Sequence, residues 1–104
     1  MEKLSFRHTT RTALPGTRAS AITGVVASGN LEVLLERNLA LDACHVEIDT
    51  AIKGYAEVWA AVVADFVARR QPGGLTITIN DGGARPDTVS LRLAQGARLM
   101  ETER

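Results

Sequence analysis

A single cysteine, Cys44, excludes any disulfide within the chain, and no cysteine or histidine spacing matches a zinc site, so a reducing interior such as the cytoplasm is the natural setting. Aromatic residues make up only 4% of the 104 residues, and Lys+Arg balance Asp+Glu at 12 each. Both the basic footprint and the stacking platform of a nucleic-acid binder are therefore missing, and no nucleic-acid partner is expected. No apolar run approaches the length of a transmembrane helix or a signal-peptide core, so no membrane partner is expected and the protein should be soluble and cytoplasmic. Phosphate loops, dinucleotide fingerprints and metalloprotease helices are also absent from the sequence.

What is present centres on Gly24 to Glu36, with Ser28-Gly29-Asn30 in the middle. Apolar β-formers lead in from Ile22 to Val26, and afterwards Leu31, Val33 and Leu35 alternate with Asn30, Glu32 and Glu36, the period of a half-buried strand. This pattern predicts a hairpin that reverses at Gly29-Asn30, where positive φ is tolerated, with Ser28 on the shoulder of the turn and its hydroxyl facing solvent. A serine in a Ser-Gly-Asn turn with no chemical role has the same appearance. A hydrolase elbow is ruled out, because the positions two residues either side of Ser28 are Val26 and Asn30 rather than glycine. A triad of Ser28, His45 and Asp49 stays formally open, although nothing in the sequence places the three together.

Residues 1–20 read as a mobile N-terminal segment with an optional edge strand, Leu4, Phe6 and His8 alternating with Ser5 and Arg7 before a loop that breaks at Pro15-Gly16. After the hairpin, Cys44, Val46 and Ile48 alternate with His45, Glu47 and Asp49 as a third strand; the charged trio reads as a solvated face rather than a metal or acid–base site. Ile52, Tyr55, Val58, Trp59, Val62, Val63, Phe66 and Val67 follow at helical spacing and predict one amphipathic helix from about Gly54 to Pro72, its apolar face buried on the sheet. Leu75, Ile77 and Ile79 mark another strand, ended by the turn residues Asn80-Asp81-Gly82-Gly83. Val89, Leu91 and Leu93 alternate with Ser90, Arg92 and Ala94, which reads as a last strand before a short polar tail for which a helix is one option. The expected fold is α+β, a mostly antiparallel sheet with one main amphipathic helix packed on one face, in the order β-β-β-α-β-β, with residues 21–100 as a single domain and 101–104 as a tail.

The run Ala27-Ser28-Gly29-Asn30-Leu31-Glu32-Val33-Leu34-Leu35-Glu36, the helix carrying Trp59, the loop Asn80 to Pro86 and the stretch Val89 to Gly96 together resemble the acyl carrier (delta) subunit family of malonate decarboxylase. They are also similar, more distantly, to the acyl carrier subunit of citrate lyase. The resemblance implies a phosphoribosyl-dephospho-coenzyme A group attached to Ser28 through a phosphodiester, its thiol carrying acetyl and malonyl. It further implies a carrier without catalytic residues of its own, whose partners are the acyltransferase and decarboxylase subunits of one complex and the transferase that attaches the group. The other reading is an unmodified interaction module that pairs its sheet edge or its Arg85-Pro86 loop with a partner.

Overall fold

The computed structural model describes residues 2–24 and 30–102. Five strands form one sheet in the order β1-β4-β5-β3-β2, comprising β1 (Glu2–Thr9), β2 (Ser20–Thr23), β3 (Leu31–Arg37), β4 (Ala43–Thr50) and β5 (Leu75–Asp81). All neighbours are antiparallel except the central pair β4 and β5, which run parallel. A parallel pair needs a crossover, and helix α1 (Ala56–Arg70) supplies it. A second helix, α2 (Pro86–Met100), follows β5.

Strand alternation decides which face is covered. Leu31, Val33 and Leu35 of β3, Cys44, Val46 and Ile48 of β4, and Leu75, Ile77 and Ile79 of β5 are all buried. They share one core with Trp59, Val63, Phe66 and Val67 of α1 and with Val89, Leu93, Ala97 and Met100 of α2. Both helices therefore pack on the same face, α1 toward β1 and α2 over β2 and β3. Gly96 lets α2 come close to the sheet, since a Cβ there would collide with Leu35. The opposite face carries the alternate residues, among them Ser5, Arg7, His45, Glu47, Thr76, Thr78 and Glu36, and is mostly polar, with Ile22 and Leu34 paired on it between β2 and β3.

The α+β class and the mostly antiparallel sheet agree with the sequence reading, and the optional edge strand is a full eight-residue β1 paired along its length with β4. Two expectations are corrected. The stretch Val89 to Ala94 is not a strand but part of α2. Val89, Leu93, Ala97 and Met100 recur at the spacing of one helix face, whereas Leu91, which the strand pattern would bury, is 54% exposed. Pro86 at the first turn presets the helical φ and holds Arg85 extended (ψ 152) as its cap. The apolar face of α1 is also shorter than its periodicity suggested, for Ile52 and Tyr55 lie before the helix, and they and Val58 are exposed.

Residues 10–19 run as a loop tied into the core. Leu14 is buried, its N–H donates to the Gly73 carbonyl at 3.0 Å, and Ala13 bridges Gly73. The Arg37 guanidinium then donates to four carbonyls, those of Arg18 at 3.0 Å, Leu14 at 2.7 Å, Pro15 at 3.3 Å and Met100 at 2.6 Å, stitching the loop to the end of α2. Replacing Arg37 with alanine strands these acceptors and should lower stability by about 2–4 kcal/mol in urea denaturation. Arg37→Lys should recover little of that loss, because one ammonium cannot reproduce the planar fork; full recovery would show that charge alone does the stitching.

Cys44 is a buried core residue, as its place on the apolar face of the strand predicts. Burial pushes its thiol up to about 12 from an ordinary 9.0. The folded state thus keeps a proton that the unfolded chain releases above pH 9.0, so this contribution to stability is complete below that pH and fades as pH rises toward about 12. Cys44→Ala should remove this alkaline slope from melts recorded across the range, and alkylation of native Cys44 should await unfolding.

Candidate functional site

The candidate site lies at the end of the sheet where β2 and β3 are joined. Their register pairs Ser20 with Glu36, Ala21 with Leu35, Ile22 with Leu34 and Thr23 with Val33. Each pair is equidistant along the chain from position 28, so the connection has Ser28 as its midpoint in sequence. Ser28 itself, with the rest of 25–29, lies outside the described residues.

The base of the connection is held from both sides. Gly24 has φ +77, and a Cβ there would meet the Leu31 carbonyl, so only glycine fits. Asn30 has φ +57, the left-handed conformation expected of it as a turn residue. Its carbonyl accepts the Gly82 N–H at 2.7 Å, which ties the start of β3 to the loop after β5. That loop is braced by Asp81, only 7% exposed. One carboxylate oxygen accepts the Thr50 hydroxyl at 2.8 Å and the other accepts the Ala84 N–H at 2.8 Å. Thr50 Oγ1 in turn accepts the Ile52 N–H at 3.1 Å, so one buried carboxylate joins β4, β5 and the entry to α2. The turn at Asn80 to Gly83 is legible in sequence; the anchoring role of Asp81 is not, because aspartate is an ordinary turn residue.

Two depressions flank this base. The first, of about 390 Å³, is apolar and runs between the start of α1 and the Gly83 to Pro86 loop, with Ile52, Tyr55, Val58 and Trp59 on one wall and Ala84, Arg85, Pro86 and Val89 on the other. The sequence reading buried Ile52, Tyr55 and Val58; the structure leaves all three exposed, Ile52 and Tyr55 because the helix begins only at Ala56 and Val58 because the buried face of α1 starts at Trp59. The second, of about 310 Å³, lies between Thr23-Gly24 and the α2 residues Gln95, Arg98 and Leu99. Beside it, Arg92 accepts the Thr23 hydroxyl on its backbone carbonyl at 3.1 Å and donates from Nη1 to Gln95 at 2.9 Å. Gln95, Arg98 and Leu99 of α2 line this depression, a signal hidden when this stretch is read as a strand.

His45 and Asp49 sit on the polar face of β4, four residues apart on one strand. His45 Nε2 is 2.9 Å from Ser5 Oγ and 3.2 Å from Glu47 Oε2. The third member of that triad, Ser28, lies outside the described residues. No group of three or more His, Cys, Asp and Glu side chains is placed to hold a metal ion among the described residues, and no described helix is long and apolar enough to cross a membrane.

Comparison with known proteins supplies the family. Residues 18–100 match the family model of the malonate decarboxylase delta subunit, an acyl carrier protein. The malonate decarboxylase acyl carrier protein of Bradyrhizobium diazoefficiens is 63% identical over 98 residues, covering 94% of this chain and 93% of that one. That of Acinetobacter calcoaceticus is 41% identical over 103 residues, covering 99% of this chain and all of that one. Among solved structures, a chain in the crystal structure of a Pseudomonas malonate decarboxylase hetero-tetramer in complex with malonate superposes with a TM-score of 0.83 at 37% identity, covering 96% of this chain and 99% of that chain. With most of its length matched in sequence and in fold, the chain belongs to the malonate decarboxylase delta-subunit family of acyl carrier proteins.

Proposed function

We propose that this protein is the acyl carrier subunit of a malonate decarboxylase complex, bearing a phosphoribosyl-dephospho-coenzyme A group on Ser28 through a phosphodiester. The observation that carries the reading is the β2–β3 register, whose midpoint in sequence is Ser28, in a chain of the delta-subunit family. The group supplies, when bound, a terminal thiol able to hold acyl groups. The chain's own contribution is positional. Gly24, Asn30 and the Asp81-braced loop hold the two ends from which the connection carrying Ser28 departs. The fit of the surroundings to an anionic group rests on an orphaned donor. Arg92 Nε is buried without a hydrogen-bond partner and lies 3.5 Å from where a Gly24 Cβ would be.

In this reading the chain performs no chemistry itself and works in the cytoplasm with the acyltransferase and decarboxylase subunits, after a separate transferase has attached the group. The similar chain of the Pseudomonas structure comes from a hetero-tetramer, which supports partner subunits of this kind. The apolar depression lined by Tyr55, Val58 and Pro86, close to the base of the connection, is a surface that such a subunit would cover. The relatives reported above carry the malonate decarboxylase name, which favours this assignment over the citrate lyase carrier. Intact mass and peptide mapping of the protein from its native host test the proposal. The expected result is the adduct mass on the peptide containing Ala27-Ser28-Gly29; a bare chain in an active complex would leave the unmodified interaction module as the better reading.

A further inference from the structure

Of the two strands that end the sheet, β2 has four residues and β1 has eight, and β1 pairs with β4 on one side and with no described strand on the other. The alternation of an antiparallel ladder fixes which of its backbone groups are spare. The Thr10 N–H donates to the Asp42 carbonyl at 2.8 Å and continues the register in which Leu4 faces Ile48 and Phe6 faces Val46. Residues of the same parity as Thr10 therefore turn N–H and C=O toward β4. Lys3, Ser5 and Arg7 turn theirs outward, where no described backbone group meets them. An uncovered row of this kind is a template for one more strand.

The side chains show what that strand would carry. Lys3 and Arg7 stand exposed on the open face with Ser5 between them, and among the described residues neither takes part in an ion pair. On the other face Leu4 and Phe6 are only partly buried against the core. Pairing β1 with the β1 of a second copy would crowd the Lys3 and Arg7 of both chains onto one face of adjoining strands, where like charges repel. A strand with carboxylates at alternate positions would instead meet these cations, and apolar residues between the carboxylates would extend the cover of Leu4 and Phe6.

We propose that the outer edge of β1 receives an extended segment of a companion subunit, which adds a strand to the sheet and sets acidic side chains against Lys3 and Arg7. The inference rests on the carrier reading for the existence of a companion; the free edge and its charge stand without it.

The test compares amide hydrogen exchange, read residue by residue by mass spectrometry, in the free chain and in the complex with the acyltransferase and decarboxylase subunits. The Ser5 and Arg7 amides should exchange freely in the free chain and at least about tenfold more slowly in the complex, whereas those of Leu4 and Phe6, bonded to β4, should be slow in both. S5P removes an outward N–H that β4 does not use, and an edge strand tolerates proline at such a position, so the variant should fold yet assemble about tenfold more weakly. K3Q/R7Q should weaken assembly at low salt, with the difference shrinking as salt rises. Equal exchange of Ser5 and Arg7 in the free chain and the complex would overturn the proposal. So would protection in the free chain that grows with concentration alongside a dimer in sedimentation, since the occupant would then be a second copy. If S5P fails to fold, K3Q/R7Q and the parent's exchange carry the comparison. A complex that protects this edge while Ser28 bears no adduct is a different result, since it removes the carrier reading and leaves the edge proposal standing.

Discussion

Ser28→Ala should fold and melt like the parent, yet never gain the mass of a phosphoribosyl-dephospho-coenzyme A adduct, and the complex assembled with it should turn over no malonate. The substitution removes at most a local hydroxyl bond worth about 1 kcal/mol. The features that hold the base of the connection, Gly24 at φ +77, Asn30 at φ +57 and the Asn30–Gly82 hydrogen bond, are all untouched by it. Stability and activity are therefore expected to separate completely. Turnover by the Ser28→Ala complex would remove the attachment site, and a large fall in melting temperature would mean that the hydroxyl is structural. Peptide mapping of the parent should exclude Ser20, Ser90 and Cys44 as alternatives; Cys44 is buried, which makes it a poor acceptor in the folded chain.

Val63→Asp should unfold the domain. Val63 has no exposed surface and faces the sheet from the middle of α1. A carboxylate placed there loses its water without gaining a partner, at a cost of several kcal/mol, roughly the whole margin of a small domain. Asp65→Ala, two residues away on the outer side of the same helix, serves as the control. It loses only the exposed pair with Arg69 at 3.0 Å, and exposed pairs are worth at most about 1 kcal/mol. Circular dichroism melts should show no cooperative transition for Val63→Asp and a parent-like one for Asp65→Ala. Equal melting temperatures would mean that α1 is rotated about its axis relative to the packing described above.

The sequence by itself determined the elements whose pattern repeats over enough residues to exclude the alternative period. Strands β3, β4 and β5 show strict alternation, the interior of α1 shows helical spacing from Trp59 to Val67, and glycine and asparagine mark the hairpin ends. The family, too, was readable in the hairpin run and the motifs downstream. Where a window was short, local reading failed, because Val89 and Leu93 lie on the same side of both a strand and a helix. Only the positions of Ala97 and Met100, together with the Pro86 start, separate the two. Tertiary structure alone decided that β4 and β5 pair in parallel, that Arg37 gathers four carbonyls from two distant segments, and that Arg92 Nε is buried beside Gly24. These features depend on contacts between residues far apart along the chain, whereas hydropathy periodicity records only which side of an element is dry. Arginine reads as a surface residue in such a pattern, and whether its donors meet carbonyls, a neighbouring glutamine or no acceptor is settled only once the helices have docked on the sheet.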